Sequence, residues 1–279
     1  MSLESTSATY LPEEDVCAES RLAYLHAGRS GRVVVLLHGW SAFKELWWST
    51  LVALAPAYRV YAPDLPGHGH SPIDTSWSMQ QIAARIACFC RARQIEQMVL
   101  VGHSMGGNIA MELALQEPGM IEQLVLVAPA AEAPRMPRYT RTYLTSMRGW
   151  TTLRLGMLLA RLGGTIGRQV PHLHGGGLVR PALRRAAYWS RHDATALRGL
   201  LDGLFANVLT ERMAAISMPT LVVSGAYDPL VPAALSQQIA ARIPGARYAV
   251  VPGAGHNPMD ERPLLFERLL LDFLRTAHQ

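Results

Sequence analysis

Lysine is almost absent from this sequence, and cysteine is rare. Lys44 is the only lysine among 26 basic residues, a bias typical of a GC-rich genome, so the number of arginines by itself carries little weight. The three cysteines, Cys17, Cys88 and Cys90, are too few for a disulfide framework. They therefore indicate small buried thiols in a reducing compartment.

The sequence also lacks long apolar runs, and we do not expect its first residues to act as a secretory leader. The longest segments without Asp, Glu, Lys or Arg contain 15 residues, at 97–111 and 213–227. A membrane span needs about 20 apolar residues, so neither segment predicts one. The first 20 residues carry five acidic residues and no basic one, unlike a signal peptide. We therefore expect a cytoplasmic location.

The composition itself is that of a globular chain with an ample core. Of the 279 residues, 49% are apolar and 17% are charged. Such a length predicts one large domain or two small ones.

Short apolar runs alternate with segments of helical periodicity, which predicts an α/β fold with a parallel sheet and helices on both faces. The loop G-R-S-G at 28–31 predicts a hairpin between the first two strands. The alternation stops between 130 and 216. We therefore predict a core domain at 1–130 and 217–279 and a helical cap at 131–216. The predicted strands are 21–27, 32–40, 58–62, 97–101, 123–128, 220–224 and 247–251, and the predicted helices are 79–93, 105–116, 233–243 and 263–277.

The segment G-H-S-M-G at 102–106 lies between a predicted strand and a predicted helix. This context is that of a nucleophile elbow, in which a sharp turn lifts a serine hydroxyl above the sheet. Ser104 is therefore the candidate nucleophile. The backbone N–H of Met105, at the start of the helix, is left free to bind an anion.

A serine hydroxyl needs a base, and the base needs a carboxylate that fixes its tautomer. Asp228 and His256 each follow a predicted strand and stand in the order that the elbow requires. The loops at the carboxyl ends of parallel strands converge, so we expect these side chains to meet Ser104. The simpler alternative for Asp228 is a turn residue before Pro229, and that for His256 is a histidine in a surface loop.

A second oxyanion donor is expected from the loop after residues 33–37, where the N–H of Trp40 follows a glycine. We expect His38 to support this loop and not to take part in catalysis. Four other histidines lack the flanking cysteines or carboxylates of a metal site. They are His68, His70, His172 and His174. No metal or cofactor is predicted.

Five motifs in order resemble those of the α/β-hydrolase superfamily. They are H-G-W at 38–40, D-L-P-G-H-G-H-S at 64–71, the elbow at 102–106, G-A-Y-D-P-L-V-P at 225–232 and G-A-G-H at 253–256. The resemblance implies an eight-stranded, mostly parallel sheet with a helical cap after the sixth strand. It also implies that Ser104 is the nucleophile, Asp228 the acid and His256 the base, with Trp40 and Met105 as oxyanion donors.

Differences from the motifs of individual subfamilies reduce the number of α/β-hydrolase subfamilies that this sequence resembles. Ser104 stands where epoxide hydrolases and haloalkane dehalogenases, which this chain resembles, carry an aspartate. The loop H-G-W-S-A at 38–42 lacks the H-G-G-P-G of proline iminopeptidases and the Gly-Pro-Gly of ring-fission hydrolases. The sequence is most similar to small capped esterases, lipases and thioesterases. It also resembles cofactor-free haloperoxidases.

The excess positive charge lies entirely in the predicted cap. Residues 133–215 carry 13 arginines, from Arg135 to Arg212, and three acidic residues, a net charge of +10. The remainder of the chain has a net charge of −5. A solvated surface, steering of an anionic substrate and peripheral contact with anionic lipid all fit this pattern. Residues 150–162 are mostly apolar and suit an acyl pocket or a lipid interface.

The leading hypothesis is a serine hydrolase that cleaves a small-molecule carboxylic ester with an apolar acyl or alcohol part. A thioesterase or acyltransferase and a C–C bond hydrolase use the same triad. A ligand receptor on the same fold is the non-enzymatic alternative. Nucleic-acid binding is not expected, because the sequence has no reading motif or base-stacking aromatics. The oligomeric state is left open.

Overall fold

A single eight-stranded sheet runs through the part of the chain that the structure, a computed structural model, describes: residues 10–72, 78–152, 154–156, 158–159 and 193–276. The strand order is β1-β2-β4-β3-β5-β6-β7-β8. The pairs β1–β2 and β2–β4 are antiparallel and all others are parallel, which confirms the predicted mostly parallel sheet. The strands are β1 (Glu13–Cys17), β2 (Leu22–Ala27), β3 (Val33–Leu37), β4 (Arg59–Pro63), β5 (Met98–His103), β6 (Ile121–Val127), β7 (Thr220–Gly225) and β8 (Arg247–Val251).

Helices cover both faces of the sheet. On the central strand β3, Val35 and Leu37 point into one apolar cluster and Val34 and Leu36 into the other, as the period of two requires. The helices are α1 (Trp48–Leu54), α2 (Met79–Ala92), α3 (Met105–Gln116), α4 (Arg138–Thr145), α5 (Ala194–Ala206), α6 (Ala233–Arg242), α7 (Pro258–Glu261) and α8 (Pro263–Arg275). Helices α2, α3 and α6 contribute to the first cluster, and α1 and α8 contribute to the second.

The predicted hairpin at 28–31 is wrong. Strand β4 lies between β2 and β3: it pairs antiparallel with β2 and parallel with β3. Two strands that flank a third are about 10 Å apart, a distance that a five-residue loop spans easily. The glycines therefore indicate a turn correctly, but they do not determine which strand pairs with β2 or with β3. The sequence contains no apolar run or alternation that would predict β1. Four of its five residues are exposed, and the first three are acidic.

The segment between β6 and β7 is an insertion whose described part is largely helical. It contains α4 and α5, and residues 147–152, 154–156 and 158–159 are also helical. The glycine runs at 163–164 and 175–177 lie outside the described residues. The domain boundaries at 131 and 216 stay predictions. No helix in the described ranges is long and apolar enough to cross a membrane.

A buried carboxylate on α3 holds the far end of this insertion against the core. Glu112 is fully buried and accepts hydrogen bonds from both terminal guanidinium nitrogens of Arg212, Nη1 and Nη2, with an Nη2–Oε2 distance of 2.9 Å. The amide of Asn207 donates to the same carboxylate at 3.0 Å, and Asn108 on α3 donates to the carbonyl of Asn207 at 3.1 Å. At least one arginine of the insertion therefore pairs with a buried carboxylate of the core, although its own side chain is 44% exposed.

We predict that Arg212→Met lowers the free energy of unfolding by about 1–3 kcal/mol, because a buried carboxylate loses its charged partner. Urea denaturation measures the change. The matched control is Arg198→Met, which removes a half-exposed i,i+4 pair with Asp202 and is expected to cost less than about 0.5 kcal/mol. Equal effects of the two substitutions would contradict an anchoring role for Arg212.

Candidate active site

The turn between β5 and α3 holds Ser104 in a backbone conformation that few residues other than glycine adopt. Its φ is +53° and its ψ is −116°. Such a conformation costs about 1–3 kcal/mol and persists only where the surroundings enforce it. Here the N–H of Ser104 donates to the carbonyl of Val127 at 2.9 Å, and the carbonyl of Ser104 accepts from Gly107 at 2.9 Å and from Ala130 at 3.0 Å. The strain at this turn is typical of a functional site.

Two glycines let the elbow close. A Cβ atom on Gly102 would lie 2.4 Å from the carbonyl oxygen of Gly106. A Cβ atom on Gly106 would lie 2.4 Å from the carbonyl oxygen of His38 and 2.6 Å from that of Leu37. The first turn of α3 therefore sits directly against the ends of β5 and β3. The G-x-S-x-G spacing reflects these two close approaches.

His256 and Asp228 form a hydrogen-bonded pair. The Nδ1–Oδ2 distance is 2.7 Å, and the carboxylate is buried. The other carboxylate oxygen, Oδ1, accepts the backbone N–H groups of Leu230 at 2.8 Å and Val231 at 2.9 Å. Since a carboxylate accepts the hydrogen, Nδ1 of His256 carries it and Nε2 presents a lone pair. This is the tautomer that a general base requires.

The residue before Ser104 packs against the same histidine. Nε2 of His103 donates to the backbone carbonyl of His256 at 2.9 Å, and the two rings lie 4.8 Å apart. Burial, together with the charge of His256, holds the pKa of His103 well below its usual range. A neutral His103 thus anchors the His256 loop to the elbow. The G-x-S-x-G pattern leaves the identity of this position open, so the motif by itself does not predict this contact.

The two expected oxyanion donors lie close to Ser104 in the chain or in space: Met105 follows it directly, and a Cβ atom on Gly39, the residue before Trp40, would lie 3.0 Å from Cβ of Ser104. Met105 is the first residue of α3, and the first N–H groups of a helix have no intrahelical acceptor. Residues 39–42 form a turn closed by a hydrogen bond from the N–H of Ala42 to the carbonyl of Gly39, which leaves the N–H of Trp40 outside the bond. The indole of Trp40 donates to the carbonyl of Leu197 on α5 at 2.7 Å, so this loop also contacts the insertion between β6 and β7.

The histidine expected to support the oxyanion loop makes two structural hydrogen bonds. His38 donates from Nδ1 to the carbonyl of Gly39 at 2.8 Å and accepts the N–H of Leu65 at 2.9 Å, which agrees with its expected supporting role. Within the described ranges no group of three or more His, Cys, Asp and Glu side chains is arranged to hold a metal ion. His172 and His174 lie outside the described residues, as do Arg180, Arg184, Arg185 and Arg191.

A cavity of about 710 Å³ opens above Ser104. Ser104, His256 and Trp40 line it together, while Asp228 lies behind His256. The other described lining residues are mostly apolar, and none of them is Asp, Glu, Lys or Arg. The wall comes from the strand-end loops of the core and from the insertion after β6, for example Phe43, Leu46, Met136, Tyr143, Leu144, Leu159, Leu201, Leu204, Leu230 and Val231. Such a wall favours apolar parts of a ligand.

The family model of the alpha/beta hydrolase fold matches residues 32–263, a range that contains the elbow, Asp228 and His256. The chain belongs to the α/β hydrolases.

Esterases are among the relatives of this α/β hydrolase. It is 29% identical over 250 residues to the pimeloyl-[acyl-carrier protein] methyl ester esterase of Aeromonas hydrophila, covering 88% of this chain and 96% of that protein. The enzyme of the same name from Xanthomonas campestris is 33% identical over 235 residues, which cover 82% and 89% of the two chains. Among solved structures, a thermophilic esterase from Thermogutta terrifontis is 25% identical with a TM-score of 0.71, over 96% of this chain and 99% of that one.

We predict that Gly106→Ala destabilises this α/β hydrolase by about 1–3 kcal/mol, because the added methyl group overlaps backbone atoms that cannot move independently. Chemical denaturation measures the loss. Gly119→Ala is the control: a Cβ atom there has no neighbour within 4 Å, so the stability is expected to stay nearly unchanged. A stable Gly106→Ala protein would show that the elbow is looser than described.

Proposed function

We propose that this α/β hydrolase cleaves carboxylic esters with an apolar acyl or alcohol part through an acyl-enzyme on Ser104. The observation that carries the proposal is the shared cavity: a serine on a strained elbow and a histidine oriented by a buried carboxylate face the same apolar space. The esterases among its relatives support the same reaction class.

In the first half of the reaction, Nε2 of His256 takes the proton of the Ser104 hydroxyl as the oxygen attacks the ester carbonyl. Asp228 keeps the imidazole in the required tautomer and stabilises the imidazolium. The N–H groups of Trp40 and Met105 receive the developing oxyanion. Preorganised donors of this kind contribute several kcal/mol each to transition-state stabilisation. His256 then protonates the departing alcohol, and the acyl group stays on Ser104.

In the second half, His256 removes a proton from a water molecule that attacks the acyl-enzyme. Collapse of the second tetrahedral intermediate returns the proton to Ser104 and releases the acid. The chain's own residues supply every proton transfer, so this route needs no metal or cofactor. A thiol ester would follow the same steps with a thiol as the leaving group.

The described cavity wall favours substrates whose bound portion is uncharged. The arginines of the predicted cap would then contact a part of the substrate outside the cavity, an anionic lipid or only solvent. Arg148 and Arg154 are exposed on the helical residues 147–152 and 154–156. Lipid contact by the cap stays a prediction, as does the cytoplasmic location.

We predict that Ser104→Ala lowers kcat/KM for p-nitrophenyl esters by about 10⁴-fold or more, because the covalent step is lost. A fluorophosphonate probe is expected to label the wild type and not the variant. Ser49→Ala, a change at an exposed serine that donates to Glu267, is the control and should leave both readouts unchanged.

Full activity of Ser104→Ala would refute the residue assignment. A wild type that neither turns over esters nor reacts with the probe would refute the enzymatic function and favour a ligand receptor.

We predict that kcat/KM rises with acyl chain length by about fourfold per methylene until the cavity is filled, since a buried CH₂ is worth about 0.8 kcal/mol. A series of p-nitrophenyl esters from acetate to decanoate measures this. Leu159→Glu, which places a carboxylate on the cavity wall, should reduce the preference for long chains.

Leu158→Glu is the matched control. The side chain of Leu158 is 53% exposed and that of Leu159 is 59% exposed, but Leu158 is not part of the described cavity wall. A flat chain-length profile, or equal effects of the two variants, would contradict acyl binding in this cavity.

A further inference from the structure

The only lysine of the chain is fully buried just after the loop that carries Trp40. The ammonium of Lys44 lies 2.9 Å from Oδ2 of Asp64, 3.1 Å from Oε1 of Glu14 and 3.2 Å from Oε1 of Glu45. Lysine is almost never fully buried unless it is paired. The mechanism above uses none of these groups, so their presence beside the cavity requires another explanation.

Asp64 binds both the side chain and the backbone of Lys44. Its Oδ1 accepts the backbone N–H of Lys44 at 2.9 Å, while Oδ2 accepts the ammonium and, at 3.2 Å, the N–H of His70. Asp64 itself is fully buried. Two bonds to one residue fix both the position and the direction of the chain where the 39–43 loop ends.

Residues 64–70 also hold the 39–43 loop at two points before Lys44. His38, at its start, accepts the N–H of Leu65, and the N–H of Ser41, in its middle, donates to Nε2 of His68 at 3.0 Å. Residues 40–43, which lie between the first and the last attachment, line the cavity. The loop is therefore tied at its beginning, middle and end to residues 64–70.

We propose that Lys44 and Asp64 are positioning residues for ester hydrolysis: their buried ion pair holds the 39–43 loop so that the N–H of Trp40 is aimed at the oxyanion. The inference rests on the proposed function. Oxyanion donors act only when they are fixed in place before the charge develops, and loops are otherwise the more mobile parts of a fold.

A buried ion pair is a poor device for stability alone. Removing two charges from water costs several kcal/mol per ion, and an apolar pair of similar size is often as stable or more so. An ion pair, in contrast, has directed bonds with a defined geometry. Its place at the end of the oxyanion loop therefore fits a positional role.

The choice of lysine in an arginine-rich chain supports the same role. An ammonium is a compact charge with three donors that meets three carboxylates in different directions, whereas a guanidinium is a planar fork. Burial by itself lowers the pKa of Lys44, but attraction to Asp64 and Glu45 outweighs it, so the pKa lies above its ordinary value and the group stays charged.

The test compares wild type with Lys44→Arg and with the charge-neutral double variant Lys44→Met and Asp64→Asn. Each is assayed for kcat and KM with a p-nitrophenyl ester and for affinity toward a trifluoromethyl ketone, which forms a tetrahedral oxyanion on Ser104. We expect kcat and ketone affinity to fall together by about 10–100-fold, with KM within about twofold, because a small misplacement of a donor costs about that much.

Arg91→Met, which removes an exposed ion pair with Glu117 on the surface, is the control and should leave all three values unchanged. Far-UV circular dichroism checks the fold of every variant. A folded variant with kcat and ketone affinity within twofold of wild type overturns the proposal. Failure of both variants to fold also overturns it, because the pair would then serve stability alone. Inactivity of the wild type would instead refute the proposed function.

Discussion

The positive-φ turn at Ser104 is the constraint on which the rest of the site depends. To hold that conformation, the backbone of β6 bonds to the serine N–H, and the chain just after β6 bonds to its carbonyl. The turn also presses the start of α3 against the ends of β5 and β3, a contact that only glycine at positions 102 and 106 permits. Three neighbouring strands thus fix the direction in which the serine leaves the sheet.

Strand order then brings the other groups to this turn. Because β3, β5, β6, β7 and β8 are neighbours and parallel, their carboxyl ends lie along one edge of the sheet. The loops after β3, β7 and β8 carry Trp40, Asp228 and His256. The hydrogen bond from His103 to the carbonyl of His256 connects the last of these loops directly to the elbow.

Buried carboxylates fix the segments that the sheet does not. Asp228 accepts two backbone N–H groups in its own loop while it binds His256. Asp64 accepts two backbone N–H groups as well as the ammonium of Lys44. Glu112 accepts side chains from the end of the insertion. Each carboxylate is buried, so moving its partner would leave an unpaired charge in an apolar surrounding. The groups that bind these three carboxylates are therefore held in place.

The amino-acid sequence by itself determined the alternation of strands and helices, the elbow at Ser104 and the order of Asp228 and His256. These features depend on local periodicity and on turn chemistry, which short segments carry. Only the tertiary structure decided that β4 separates β2 from β3, that His103 binds the His256 loop, and that the single lysine and Arg212 meet buried carboxylates. Each of these contacts joins residues far apart in the chain, and no local pattern encodes which distant group will become the neighbour.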